Sequence, residues 1–117
     1  MQHHEYTLRP KPFALIASGQ KQIELRLNDQ KRQQLNVGDV IIFTNTETFQ
    51  QVRVVVTKLM PYPSFKELYA HTPKALMGYG QEEKANYQDM EVYYSAAAIR
   101  KFGVLGIEIK LVDGENI

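Results

Sequence analysis

From Ser18 to Asn28 the chain runs Ser-Gly-Gln-Lys-Gln-Ile-Glu-Leu-Arg-Leu-Asn. Lys21, Glu24 and Arg26 are the residues in it whose types and spacing can do chemistry. Ser18-Gly19 suits the end of a helix, so Lys21 falls where the chain turns. The residues after it alternate, which puts Glu24 and Arg26 on one face of a strand. Three charged groups of both signs converging on a groove can hold a phosphate or a base edge, and a lysine stripped of water can also act as a base. The same spacing also fits a solvated surface, where an i,i+2 pair contributes well under about 1 kcal/mol. Spacing leaves both open.

Most other chemistries drop out. The chain has no cysteine, which removes disulfides, Cys-based metal sites and thiol nucleophiles and fits a reducing compartment. It lacks the G-x-S-x-G elbow, the GxxxxGK[ST] phosphate loop, GxGxxG and H-E-x-x-H. His3, His4 and His71 have no carboxylate or cysteine partners at ligand spacing, so no metal site and no cofactor are expected. Charge is skewed. Between Arg9 and Arg32 six basic residues (Arg9, Lys11, Lys21, Arg26, Lys31, Arg32) face two acidic ones (Glu24, Asp29), while the rest of the chain is net negative. Such clustering marks a surface for anions, or a solvated face with long side chains lying on apolar surface. Tyr79, Tyr87, Tyr93 and Tyr94 concentrate in one stretch, where they can stack on a base or fill a core.

The elements that must position these groups follow from periodicity. Residues 4–8 read as a short strand, stopped by Arg9-Pro10-Lys11-Pro12. Pro12 suits a first helical position and Phe13, Ile16 and Ala17 give a two-turn helix one apolar face. Ile23, Leu25 and Leu27 alternate with Gln22, Glu24 and Arg26, a clear strand pattern. Leu35 and Val37 should return to the core before the Gly38-Asp39 turn. Val40 to Phe43 reads as a strand buried on both faces, Asn45 to Thr48 as a hairpin loop, and Gln51 to Leu59 as the returning strand, stopped by Met60-Pro61-Tyr62-Pro63. Ser64-Phe65-Lys66-Glu67 has capping-box spacing ahead of a helix. Thr72 to Tyr94 is the least decipherable stretch, with two short helical pieces broken at Gly78-Tyr79-Gly80. Ser95 caps a last helix closed by Gly103, Val104 to Val112 is a final strand, and residues 113–117 read as a frayed tail.

A chain of 117 residues, 44% hydrophobic and 23% charged, has the size and composition of one ordinary domain spanning 1–117. No stretch approaches the roughly 20 apolar residues of a membrane helix, and the first residues lack a secretory pattern. A cytoplasmic location is expected. Strands spaced too closely for βαβ units point to an α+β domain on a small mixed or antiparallel barrel.

Several of these residues also carry a family resemblance. Gly19-x-Lys21-x-Ile23-Glu24-x-Arg26, then Val37-Gly38-Asp39 with Ile41-x-Phe43, then Tyr94-Ser95 and Phe102-Gly103-Val104-Leu105-Gly106-Ile107 resemble the ASCH (activating signal cointegrator homology) domain of the PUA-like superfamily. The likeness covers roughly residues 5–112. It implies a PUA-like mixed β-barrel of five to six strands with short flanking helices, and a cleft for RNA or a nucleoside beside the first helix and the strand that follows Lys21. Many members are RNA-binding modules and a few are ribonucleases. Another branch deacetylates acetylcytidine with a lysine matching Lys21, a threonine where this chain has Glu24, and a downstream glutamate, here Glu82 or Glu83. A carboxylate only accepts hydrogen bonds and opposes a neutral lysine base. The expectation is therefore an RNA- or nucleotide-binding protein, with small-hydrolase action on acylated nucleosides or RNA as the alternative. Ligand contacts are expected from Lys21, Glu24, Arg26, Lys11, Arg32, Tyr79, Tyr94 and Ser95. Catalysis, if there is any, would rest on Lys21 and Glu24.

Overall fold

The structure is a computed structural model that describes residues 1–112; the tail expected over 113–117 lies outside them. In chain order the elements are β1 (His3–Leu8), α1 (Pro10–Ala17), β2 (Ile23–Leu27), a 3-10 turn at Arg32–Gln34, β3 (Val40–Asn45) and β4 (Gln51–Tyr62). They continue with α2 (Phe65–Ala70), a 3-10 turn at Lys74–Met77, α3 (Gln88–Glu91), α4 (Ala96–Phe102) and β5 (Val104–Leu111).

The strands form one mixed sheet in the order β1-β3-β4-β5-β2, with β1 and β3 parallel and the other neighbours antiparallel. It curls into a half-barrel whose open seam lies between β1 and β2. Side chains cross that seam. Arg26 Nη2 donates to the Thr7 carbonyl at 3.0 Å and Lys31 Nζ to the Glu5 carbonyl at 3.1 Å, so the outer edge of β1 is partly satisfied without a neighbouring strand.

The sheet separates two apolar clusters. Phe13 and Ile16 of α1 pack with Tyr6, Ile41, Phe43, Val54, Ile107 and Ile109 on one side. On the other, Leu25 and Leu27 of β2 pack with Phe65 and Leu68 of α2, Ile99 of α4, Met77 and Val104, rimmed by tyrosines. β5 contributes to both, with Leu105, Ile107 and Ile109 in the first cluster and Val104 in the second, so the start of this strand is covered on both faces, which alternation alone does not reveal.

Three local expectations change. Val37 is exposed while Leu35 is buried, because the turn at Gly38 (φ 96°) directs only one of them inward. β4 runs through Pro61, paired with Leu105. There the strand has β5 on one side and β3 no longer on the other, so a proline lacking N–H is tolerated. The first helix begins at Pro10, with Arg9 as N-cap, because both prolines fit a first turn whose amides need no partner within the helix. Ser64 and Ser95 cap α2 and α4 as the spacing predicts, accepting from Glu67 N and Ala98 N.

Candidate functional site

The chain after α1 aims Lys21. Gly19, with φ 85°, turns the backbone, Lys21 N donates to Leu15 O at 2.9 Å, and Gln22 N donates to Leu76 O at 2.8 Å. The lysine stem then runs beside Gly78. A Cβ on Gly78, whose φ is 101°, would stand 3.3 Å from Lys21 Cδ and 3.2 Å from Leu15 Cδ1. Glycine leaves the lysine its path.

Lys21 ends on Glu24, with Nζ 2.9 Å from Oε1, while Arg26 Nε donates to Oε2 of the same carboxylate at 2.8 Å. Glu24 is only 3% exposed. Burial by itself would raise its pKa, but Lys21 and Arg26 together, through charge and hydrogen bonds, outweigh burial and the net shift is downward. Glu24 is thus an anion clamped by two cations, and the solvated-pair alternative does not hold. The Arg26 guanidinium also lies 5.2 Å from the Tyr6 ring centroid, which fixes it from a third direction.

This clamp forms one wall of a cleft of about 380 Å³, toward the small end of ligand sites. Arg9, Lys11 and Leu15 from α1 and its entry form an adjoining wall, and the facing wall comes from residues 69 and 77–94, including Tyr69, Tyr79, Glu83, Asp89, Tyr93 and Tyr94. That facing wall is internally bonded. Tyr69 and Tyr79 hydroxyls lie 2.9 Å apart, Tyr79 donates to Asp89 Oδ2 at 2.7 Å, and Tyr94 stacks on Phe65 at 5.8 Å between centroids. Burial pushes the phenols of Tyr69, Tyr79 and Tyr94 upward, so they stay neutral donors near pH 7.

Of the eight expected contact residues, Lys11, Lys21, Glu24, Arg26, Tyr79 and Tyr94 meet in this cleft. Two stand outside its wall. Arg32 lies against the Tyr6 ring and 3.8 Å from Asp29, and Ser95 is committed to capping α4. Glu83 lines the cleft, with its carboxylate accepting from Gly80 N, whereas Glu82 is exposed and outside the lining. Tyr69 and Asp89 were not expected, and Tyr93 stood out only as one of the clustered tyrosines. Tyr69 reads from spacing as the apolar face of α2, and Asp89 and Tyr93 lie in the stretch without periodicity. Among the described residues, no group of three or more His, Asp or Glu side chains could hold a metal, and no helix is long and apolar enough to cross a membrane.

The same architecture occurs in known structures. Hypothetical protein PH0355 superposes with a TM-score of 0.79 at 29% identity, over 96% of this chain and 100% of that one. Protein PF0455 from Pyrococcus furiosus gives 0.69 at 29% identity, over 95% and 98%. The ASCH domain from Lactobacillus crispatus gives 0.61 at 17% identity, over 94% and 79%, a likeness of fold alone. No curated protein matches this chain. The family model described as "ASCH domain" matches residues 7–113, which takes in the end of β1, all of β2 to β5, the clamp on Glu24 and the tyrosine wall. By that match the chain belongs to the ASCH domain family.

Proposed function

We propose that the protein binds RNA or a nucleotide, with a base and its sugar-phosphate seated in the cleft between the Glu24 clamp and the tyrosine wall. One observation carries this reading: ionic donors and neutral aromatic phenols face each other across a hollow of ligand size. That pairing suits a ligand with a flat π-face and an anionic edge. Lys11 and the outward N–H groups of Lys21 and Arg26 would meet phosphate or base edges, and Tyr79, Tyr93 or Tyr94 would supply the stacking surface, where one base contributes about 1–3 kcal/mol.

The hydrolase alternative gains one observation, the presence of Glu83 in the same cleft as Lys21. The clamp argues against it. Lys21 meets Glu24 as an ammonium in an ion pair, and an ammonium has no lone pair with which to attack a carbonyl or accept a proton. Binding is therefore preferred.

Titrating the protein with uridine monophosphate and with a short unstructured oligouridylate tests the reading. Binding should be saturable, and Lys11→Ala should weaken it about threefold to tenfold with an unchanged Tm, since Lys11 is exposed. No saturable binding of either probe would overturn it. Incubation with acetylcytidine and with unstructured RNA should leave both intact; turnover that disappears in Lys21→Ala would put the hydrolase reading first.

A further inference from the structure

Phe49 is the residue that folding explains least. It is 76% exposed, so its ring buries little against the protein. It has φ 62°, the one described non-glycine residue with positive φ. The left-handed region suits glycine or asparagine and strains a side chain with an ordinary Cβ. In a hairpin loop of this kind glycine normally takes that position. Phenylalanine here thus carries backbone strain and regains little of it by burial. Strain held at an exposed side chain points to a role outside folding.

The loop presents this ring rigidly. Asn45 is buried, and its Oδ1 accepts from Glu47 N at 2.9 Å and Thr48 N at 3.3 Å. Phe49 N donates to Asn45 O and Asn45 N to Gln50 O, at 2.9 and 2.8 Å. Thr48 Oγ1 accepts from Gln50 N. The loop also belongs to the cleft end of the molecule. β1 and β3 run parallel, so the β3–β4 hairpin and the entry to α1 emerge at the same end of the sheet. Thr46 N donates to Leu8 O at 2.9 Å, and Leu8 and Arg9 line the cleft.

The surroundings of the ring identify its partner's chemistry. Thr46, Glu47, Thr48, Gln50 and Gln51 are exposed and polar. An aromatic anchor for a protein partner sits in a desolvated apolar patch; a lone ring in a polar field suits a nucleobase, whose face stacks while its edges stay in water. We propose that Phe49 is a stacking platform for a base flanking the one held in the cleft, so that the ligand is a single strand of RNA and not a free nucleotide. This rests on the cleft reading above and adds the strand to it.

Three proteins test the proposal: wild type, Phe49→Gly and Phe49→Trp, each titrated with uridine monophosphate and with a short oligouridylate while Tm is followed. Glycine relieves the backbone, so Phe49→Gly should not lower Tm. It should bind the monophosphate as wild type does, yet bind the oligomer about tenfold more weakly. Phe49→Trp should match or exceed wild type on the oligomer. Equal oligomer affinity in wild type and Phe49→Gly, or no gain from monophosphate to oligomer in wild type, overturns the stacking platform and leaves the cleft reading standing. Wild type binding neither probe overturns both. If wild type self-associates on gel filtration and Phe49→Gly does not, the ring is a contact between copies and the proposal fails.

Discussion

Glu24 decides how the other two charges behave. A buried carboxylate is costly unless its hydrogen-bonding capacity is filled by opposite charge, and Lys21 and Arg26 take one oxygen each. Replacing it with an amide leaves two cations facing each other in a largely buried site. Glu24→Gln should therefore destabilise the fold by about 3 kcal/mol, measured by urea unfolding. Lys21→Ala alone should cost about 1–3 kcal/mol by leaving the carboxylate short of a partner, and the Lys21→Ala/Glu24→Gln pair should cost less than the two single changes added together. Strict additivity would mean that the clamp carries no coupling. Gly78→Ala belongs to the same argument. Its Cβ would press on Lys21 and Leu15 in a left-handed backbone, so both Tm and nucleotide affinity should fall. At this scale the spacing of Lys21, Glu24 and Arg26 marked the three as a group but left open whether they met in a groove or on a solvated surface. Their burial was not legible, because the facing wall is supplied by Tyr69 and by residues up to Tyr94, about 45 to 70 positions beyond Glu24.

Elements meet at a second buried carboxylate, which pins β1 to the turn before β3. Asp39 accepts from Gln2 N at 3.0 Å, from His4 Nε2 at 2.8 Å and from Asn36 N at 3.0 Å. The Gln2 amide contributes most, His4 next, and with the Asn36 amide they hold the Asp39 pKa at about 2, below its ordinary 3.8. A folded-state pKa below the unfolded one means that the unfolded chain binds more protons between those values. Stability therefore rises with pH through that window, is complete above pH 3.8, and is lost as pH falls toward 2. Asp39→Asn should lower Tm at pH 7 and flatten the Tm-against-pH curve between pH 4 and 2, with nucleotide binding unchanged at pH 7. An equally steep acid limb in the variant would assign it to other groups, Glu24 foremost. Elements with a clean period were readable: β2 from Ile23, Leu25 and Leu27, β5 from Leu105, Ile107 and Ile109, and the helices that start at Ser64 and Ser95. The parallel pairing of β1 with β3 was not, since register between distant strands leaves no local pattern. Nor was the stretch from 72 to 94, where short turns carry tyrosines that answer to the cleft and to α2 at once, so that no single period survives.

Across the whole molecule the net charge is +1, and the cleft repeats that balance. Its wall sets Arg9, Lys11, Lys21 and Arg26 against Glu24, Glu83 and Asp89. A surface built to follow a polyanion would show a run of cations with few acids. This one, with Glu24 already neutralising much of Lys21 and Arg26, has charge for one or two phosphates. Counterion release from a single strand lowers log affinity by about 0.7 per phosphate for each unit of log salt. The slope for oligouridylate should thus lie between about −0.7 and −1.4. A slope steeper than about −3 would require a basic track that these residues do not provide. Stacking on Phe49 releases no counterions, so the affinity lost in Phe49→Gly should be the same at low and high salt, whereas the loss in Lys11→Ala should shrink as salt rises. On the proposed reading, charge would set where a strand enters and aromatic surface how long it stays. Measuring dissociation rates at two salt concentrations for both variants separates the two, and a salt-dependent Phe49 effect would show that the hairpin acts through charge after all.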